Sequence, residues 1–387
     1  MIPAARIQAA IELLDEIEAG KPVEQALTGW ARRSRFAGSG DRAAVRDHVF
    51  EALRRKRSFS SIGGAGTGRG LMLGALRQSG NDPGSVFTGA RHCPAPLSDA
   101  ERGGGRDPAS DAERYDMPDW IWPEFSASLG DEAGVSATAL QRRAPVWLRV
   151  NLALTSRDVA ARALLDNNIN TDPHPSVETA LLVTEGERRV ATSSAYRDGL
   201  VELQDASSQA VIAALPLQPG MRVLDLCAGG GGKALAMAAT RGVQVCASDI
   251  DPRRMRDLPD RAARAGVNIE LLDPDAVAQA GPFDLVLVDA PCTGSGAWRR
   301  SPAAKWALTQ ERLDTLTGIQ ADILDRAAEL TSSGGLLAYA TCSVLRAENT
   351  RQAQKFTASH NAWRCVFEQL WPVSDLGDGF FTAHLTR

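Results

Sequence analysis

Cysteine is scarce in this 387-residue chain: there are six, no two form a Cys-x-x-Cys pair, and no Cys/His cluster appears. That scatter excludes a disulfide framework and a zinc site, leaves the thiols reduced, and gives no reason to expect a bound metal. Long apolar runs are absent too. None approaches the roughly 20 residues that cross a bilayer, so no membrane partner is expected. The opening MIPAARIQAAIELLDEIEAG sets Glu and Asp among spaced apolar positions, unlike the continuous apolar block of a secretory signal, and the cytoplasm is the expected location. An excess of positive charge is also missing. With a formal net charge of -4, the surface as a whole does not coat nucleic acid, and any contact with it must come from local basic patches.

One such patch is visible in residues 31 to 57, ARRSRFAGSGDRAAVRDHVFEALRRKR, with nine Arg or Lys against three acids. The run suits either a solvated helix face or contact with phosphate. Around it, Ile7, Ile11, Leu14 and Ile17, and then Val45, Val49 and Leu53, recur at helical spacing, so the first sixty residues read as amphipathic helices. Residues 58 to 112 turn rich in Gly, Ser, Asp and Pro, with one helical island around LMLGALRQSG. This stretch reads as loosely specified.

From Met117 the character changes. PDWIWPEF supplies aromatic anchors, VWLRVNLAL reads as a strand and RDVAARALLDNN as a helix, which makes a small α+β module. After PLQPG, residues 216 to 220, strand candidates RVLDLCA, VQVCASDI, NIELLD, FDLVLVDAP and LLAYATCS alternate with helices. Between residues 308 and 330, Leu313, Leu316, Ile323, Ala327 and Leu330 line one helix face before Ser-Ser-Gly-Gly ends it. Apolar strands alternating with helices predict a parallel, doubly wound α/β sheet. The expected division is a helical part over 1–112, the small module over 113–205 and the α/β domain over 206–387. No internal repeat is present.

Strand RVLDLCA runs directly into Gly229, Gly230, Gly231, Gly232 and Lys233, followed by helix formers. Such a turn lets backbone approach a ligand and offers the free N–H groups of a helix start. A P-loop would need Gly at Cys227 and Ser or Thr at Ala234, so a Walker site is excluded. Asp249 ends the next strand, where an acid accepts hydrogen bonds from ribose hydroxyls, and Asp273 ends the one after, within reach of an adenine amino group. With Asp289 at the end of FDLVLVDAP, three acids stand at strand ends, which suits an adenosine-bearing cofactor, whether S-adenosylmethionine or the nicotinamide dinucleotide of a dehydrogenase.

Two cysteines stand apart from the rest. Cys292 follows Asp289 and Pro291 at the exit of FDLVLVDAP, and Cys342 sits between Thr341 and Ser343 at the exit of LLAYATCS, so both belong to the ligand edge of the sheet. Cys246 and Cys365 read as strand-interior core thiols, and Cys227 is ambiguous. A thiolate suits the activation of a pyrimidine: sulfur adding to C6 turns C5 into an enamine carbon that can accept a methyl group. Asp289 is suited to furnish a proton at N3, and a second thiol can assist release. The residues alone do not say which thiol attacks.

The blocks DLCAGGGGK (225 to 233), SDIDPRR (248 to 254), DLVLVDAPCTGSGAWRRSPAAKW (284 to 306) and YATCSVLRAEN (339 to 349) resemble the NOL/NOP/Sun family of RNA 5-methylcytosine methyltransferases, in particular its bacterial Sun/Fmu branch, which acts on ribosomal RNA. The resemblance covers at least residues 117 to 387. It implies a Rossmann-like class I methyltransferase domain, a small RRM-like module before it, and a helical N-terminal domain similar to the antitermination factor NusB. It also implies that S-adenosylmethionine binds along Cys227, Ala228, Gly229, Gly230, Gly231, Gly232, Lys233, Asp249, Arg254, Asp273 and Asp289. Cys342 is then the nucleophile, Cys292 the thiol that helps break the adduct, and Asp289 the third catalytic group. The partner is RNA, with 16S ribosomal RNA favoured, and the protein is expected to act as a monomer. Where the family commonly has Ala-Pro-Gly-Gly-Lys, Gly230 holds the proline position, which implies a looser loop. The aromatic and guanidinium groups of Trp298, Arg299 and Arg300 suit stacking and phosphate contact. The competing readings are a transfer-RNA enzyme, a DNA cytosine-C5 methyltransferase with Cys292 as attacker, a small-molecule methyltransferase, and an RNA-binding assembly factor without turnover.

Overall fold

The computed structural model describes residues 1–387. The chain divides into two compact units, one of residues 1–143 with 298–307 and one of 144–297 with 308–387. No helix is long and apolar enough to cross a membrane.

The first unit is helical. Helices α1 (Pro3–Glu18), α2 (Val23–Arg33), α3 (Ser39–Arg54), α4 (Lys56–Gly63) and α5 (Gly68–Gln78) share one core, in which Ile7, Ile11, Leu14, Val45, Val49 and Leu53 are buried and Ile17 packs from the side. The helical spacing therefore picked the right face. The glycine-rich stretch departs from its reading as loosely specified, because its first part is two tightly packed helices. A Cβ on Gly63 would lie 1.8 Å from the Gly70 carbonyl oxygen, and one on Gly74 would lie 2.0 Å from that of Phe59. These glycines let backbone meet backbone.

The second unit holds two sheets. Strands β1 (Val146–Val150), β2 (Asn170–Pro173), β3 (Ala180–Glu185) and β4 (Val201–Leu203) form an antiparallel sheet in the order β2-β3-β1-β4. The larger sheet contains β5 (Arg222–Asp225), β6 (Gln244–Ala247), β7 (Ile269–Leu271), β8 (Phe283–Asp289), β9 (Thr331–Thr341), β10 (Arg364–Trp371) and β11 (Phe380–Thr386), in the order β10-β11-β9-β8-β5-β6-β7. Strands β5 to β9 pair in parallel, as the near-continuous apolar runs require, whereas β11 runs antiparallel to both its neighbours. Neither β10 nor β11 was among the sequence-predicted strands. The helix before β9 ends at Leu330, and the Ser-Ser-Gly-Gly segment, expected to be its stop, is already part of that strand.

Strand order fixes where a ligand can sit. The chain begins at β5, moves outward through β6 and β7, and returns to the other side of β5 as β8. At that reversal the connections leave the carboxyl ends of β5 and β8 in opposite directions and open a crevice between them. The four glycines follow β5, and Asp289 closes β8.

Candidate active site

Beyond β5 the loop turns on two left-handed residues, Gly229 (φ 53) and Gly231 (φ 77). Gly231 caps the helix Gly232–Ala238, and a Cβ there would meet the Leu258 side chain at 2.3 Å. The Gly229 N–H donates to Asp249 (2.8 Å), whose carboxylate also accepts from the Asp251 N–H (3.0 Å) and from Arg254 (3.1 Å). Arg261 donates to the Gly230 carbonyl and Arg149 to that of Gly232 (2.7 Å), so the loop lacking the family's proline is pinned from outside by two guanidinium groups.

Lys233, in the first turn of that helix, is buried and donates to Asp289 at 2.7 Å. Burial alone would drive the ammonium toward its neutral form; the Asp289 charge and hydrogen bond outweigh that, and its pKa is raised. Beneath the pair lies Asp225, 1% exposed, with no hydrogen bond of ordinary geometry to either oxygen. Burial first, and then the nearby Asp289 carboxylate, push its pKa up to about 7.

The thiols sort themselves by surroundings. Burial, with the charges of Asp225, Asp289 and Asp249, lifts Cys227 to about 12, which makes it inert at neutral pH and resolves its ambiguity. Cys246 is a buried core thiol lifted to about 11 by burial and the Glu270 side chain. Cys365, expected in the core, is exposed, because β10 is the edge strand and turns that residue outward. Cys292 and Cys342 come together, with their sulfurs 3.4 Å apart. Contact with Cys342, burial and the Glu348 carboxylate all raise the Cys292 pKa. Cys342 in turn is among the groups that hold the Lys233 ammonium protonated.

A cavity of about 720 Å³ joins these groups: Cys227, Ala228, Gly229, Gly230, Gly232, Lys233, Asp249, Arg254, Asp289, Cys292 and Cys342 all line it. Of the sequence-predicted residues, Gly231 is turned into the Leu258 contact and Asp273 is exposed away from the lining, its carbonyl engaged by the Ala276 N–H. Pro274 lines the wall in its place. Sequence reading missed Ile250, which is 82% exposed on the lining next to Asp249 and offers apolar surface for a base. An isoleucine exposed between two acids in SDID was the available signal.

A family profile described as 16S rRNA methyltransferase RsmB/F matches residues 212–386, and one described as the ferredoxin-like domain of RsmF/B-like methyltransferases matches 117–190. The ribosomal RNA small subunit methyltransferase B of Citrobacter koseri is 33% identical over 294 residues, which is 72% of this chain and 68% of that protein. This chain belongs to the RsmB/F family. The enzyme of the same description from Escherichia coli O6:K15:H31 is 34% identical over 293 residues, with the same shares covered. In fold, the crystal structure of PH0851 superposes with a TM-score of 0.77 over 100% of this chain and 99% of that one, at 24% identity. An RsmB/F protein is an S-adenosylmethionine-dependent methyltransferase with a Rossmann-like catalytic domain, and the cavity suits that cofactor. It has open glycine backbone at Gly229 and Gly230, a strand-end carboxylate at Asp249, and apolar surface at Ile250 and Ile323.

The segment after the Cys292 loop does not act as expected. Trp298 and Arg299 are each 1% exposed. Trp298 stacks on Phe125 with ring centroids 6.5 Å apart, the Arg299 carbonyl accepts from Arg54 (2.7 Å), and Trp306 donates to the Leu53 carbonyl (2.7 Å). Residues 298–307 thus complete the helical unit, and only Arg300 of the expected trio is exposed. Four of the nine basic residues in the run are held in ion pairs: Arg33 with Glu16, Arg46 with Glu24, Lys56 with Glu18, and Arg57 with Asp119. Arg32, Arg35 and Arg42 carry no ion pair and line one concavity on this unit.

Proposed function

We propose that the protein methylates C5 of a cytosine in RNA, with 16S ribosomal RNA as the substrate, through a covalent adduct on Cys342. One observation carries this reading: two thiols 3.4 Å apart stand at the exits of adjacent strands, beside the Lys233–Asp289 pair, in the crevice that suits the cofactor. Support for the substrate comes from the names of the relatives and from arginines 32, 35 and 42, which suit phosphate. A cytosine reaches such a crevice only when unstacked, so the target base lies in a loop or is flipped from a helix.

In this mechanism the Cys342 thiolate bonds to C6 and the displaced electron pair moves to N3, which takes a proton that the Lys233 ammonium passes on through the Asp289 carboxylate. S-adenosylmethionine, when bound, supplies an electrophilic methyl group. The enamine carbon C5 would take that methyl group, leaving the electrons of its former bond behind. The C5 proton then leaves to solvent, N3 returns its proton through the Asp289 carboxylate to Lys233, and the S–C6 bond breaks. Cys292, protonated and in contact with Cys342, donates to the departing sulfur and takes the proton back when Cys342 ionises for the next round. The monomeric state and cytoplasmic location form part of the same reading.

Incubation of wild type, Cys342→Ala and Cys292→Ala with 16S RNA and S-adenosylmethionine tests it. Denaturing gels should show a protein–RNA adduct that accumulates with Cys292→Ala and is absent with Cys342→Ala, and bisulfite mapping should place the methyl group on a cytosine. The reverse adduct pattern makes Cys292 the attacker. Absence of methyl transfer by wild type to any RNA sinks the enzymatic reading.

A further inference from the structure

Glu348 has no part in the chemistry above, yet it is fully buried beside it. It lies in the short turn after β9, and both its oxygens are directed at Thr293, the residue that follows Cys292. One oxygen accepts the Thr293 N–H (2.8 Å) and the Gln320 amide (3.1 Å), and the other accepts the Thr293 hydroxyl (2.5 Å). Gln320, from the helix Gln310–Leu330, also donates to the Pro291 carbonyl (3.0 Å). The residues on both sides of Cys292 are therefore gripped by one linked set of side chains. Tyr339 secures the clamp from below by donating to the Glu348 carbonyl (2.6 Å).

Geometry alone does not require an acid there. A glutamine at 348 would meet the same neighbours through its carbonyl and amide without the cost of burying a charge. The charge therefore calls for a function, and its position supplies one. We propose that Glu348 is a positioning residue that fixes Cys292 against Cys342 and, through its negative charge, keeps the shared proton on Cys292, leaving Cys342 as the sulfur free to attack. This inference rests on the two-cysteine chemistry proposed above. The titratable groups facing Cys292 are Cys342 and Glu348, from the segment leaving β9, and Tyr339 within β9; on its own strand stands Asp289, occupied by Lys233. The pair thus has an anion on the Cys292 side and, through Lys233, a cation coupled to Cys342. That asymmetry divides the labour between two otherwise equivalent thiols.

The test is independent of RNA and cofactor. The reduced full-length protein is alkylated with iodoacetamide from about pH 6 to about pH 10, and each cysteine is followed by peptide mass spectrometry. In wild type, Cys342 should react ahead of Cys292 throughout. Glu348→Gln in a Cys342→Ser background should move the Cys292 midpoint down by about one pH unit relative to Cys342→Ser alone, as expected for loss of an adjacent like charge. Glu348→Asp, which keeps the charge, should restore the higher midpoint. Cys292 reacting first in wild type, or an unmoved midpoint in folded Glu348→Gln, overturns the proposal. If Glu348→Gln fails to fold, the order of reaction in wild type still decides. A normal thiol order with no adduct on RNA would instead remove the covalent reading and leave the charge asymmetry standing.

Discussion

Two glycine-rich stretches in this protein look alike on paper and do opposite things in space. In α4 and α5, Gly63 and Gly74 disappear into a helix–helix contact so close that a methyl group would strike a carbonyl at 1.8 to 2.0 Å. In the loop after β5, Gly229 and Gly230 face the cavity, and the nearest neighbours of an added Cβ are the ends of arginine side chains at 3.0 and 3.4 Å. Absence of a side chain serves packing in one case and a ligand in the other. Composition cannot separate them, but spacing can. Gly70 and Gly74 recur four residues apart among Leu and Met, which is the spacing of a helix face, whereas Gly229 to Gly232 are consecutive between a strand and a helix.

Substitutions at these glycines should break the likeness, each in its own way. The largest effect belongs to the packed pair: Gly74→Val should destabilise the protein by about 3 kcal/mol or more through overpacking, seen as a lower unfolding midpoint in denaturant, while the folded fraction binds S-adenosylmethionine with unchanged affinity. A weakened cofactor site with normal stability would reverse the assignment. Next comes Gly231→Ala, which forces an L-residue to φ 77 against Leu258. It should cost about 1–2 kcal/mol and weaken cofactor binding measured by calorimetry by roughly tenfold.

Buried titratable groups should separate the two regions as well. Asp225 has a folded-state value raised to about 7 against an ordinary 3.8, so the folded protein binds the extra proton. Stability around β5 is then fully present at acid pH and falls as pH rises toward 7. In the helical unit, burial lowers Lys305 from 10.5 to about 8, so there the unfolded chain binds the extra proton, and stability rises with pH from about 8 to about 10.5. Amide exchange resolved by region should show these opposite slopes, and Asp225→Asn should flatten the first. The smallest effect is expected at Gly230→Ala. Its added methyl meets only Arg261 at 3.4 Å, so cofactor affinity should change by less than about twofold.

The sequence was most legible where a physical rule tied residue type to position. Parallel strands are buried on both faces, so β5, β6 and β8 stood out as apolar runs, and their exits, with that of β9, named Asp249, Asp289, Cys292 and Cys342. Legibility failed where the deciding neighbour is distant in the chain. Trp298 looked like a base-stacking group because its partner Phe125 is nowhere near it in sequence. The burial of Glu348 was invisible for the same reason, since nothing in LRAEN indicates that the side chain turns back onto Thr293. β10 was missed because an edge strand with exposed Arg364, Val366 and Glu368 has no alternation to detect, and β11, buried between β9 and β10, because polar Thr382 and His384 interrupt its apolar run.

The return of residues 298–307 into the helical unit has a consequence in time. A ribosome making about 5–20 residues per second releases Arg143 roughly ten seconds or more before Trp298. Through that interval Phe125 lacks its stack against Trp298 and the Leu53 carbonyl its indole donor. The helical unit, although first to emerge, therefore stays unfinished for much of synthesis. Its final closure waits until the strand leading to Cys292 has already been made.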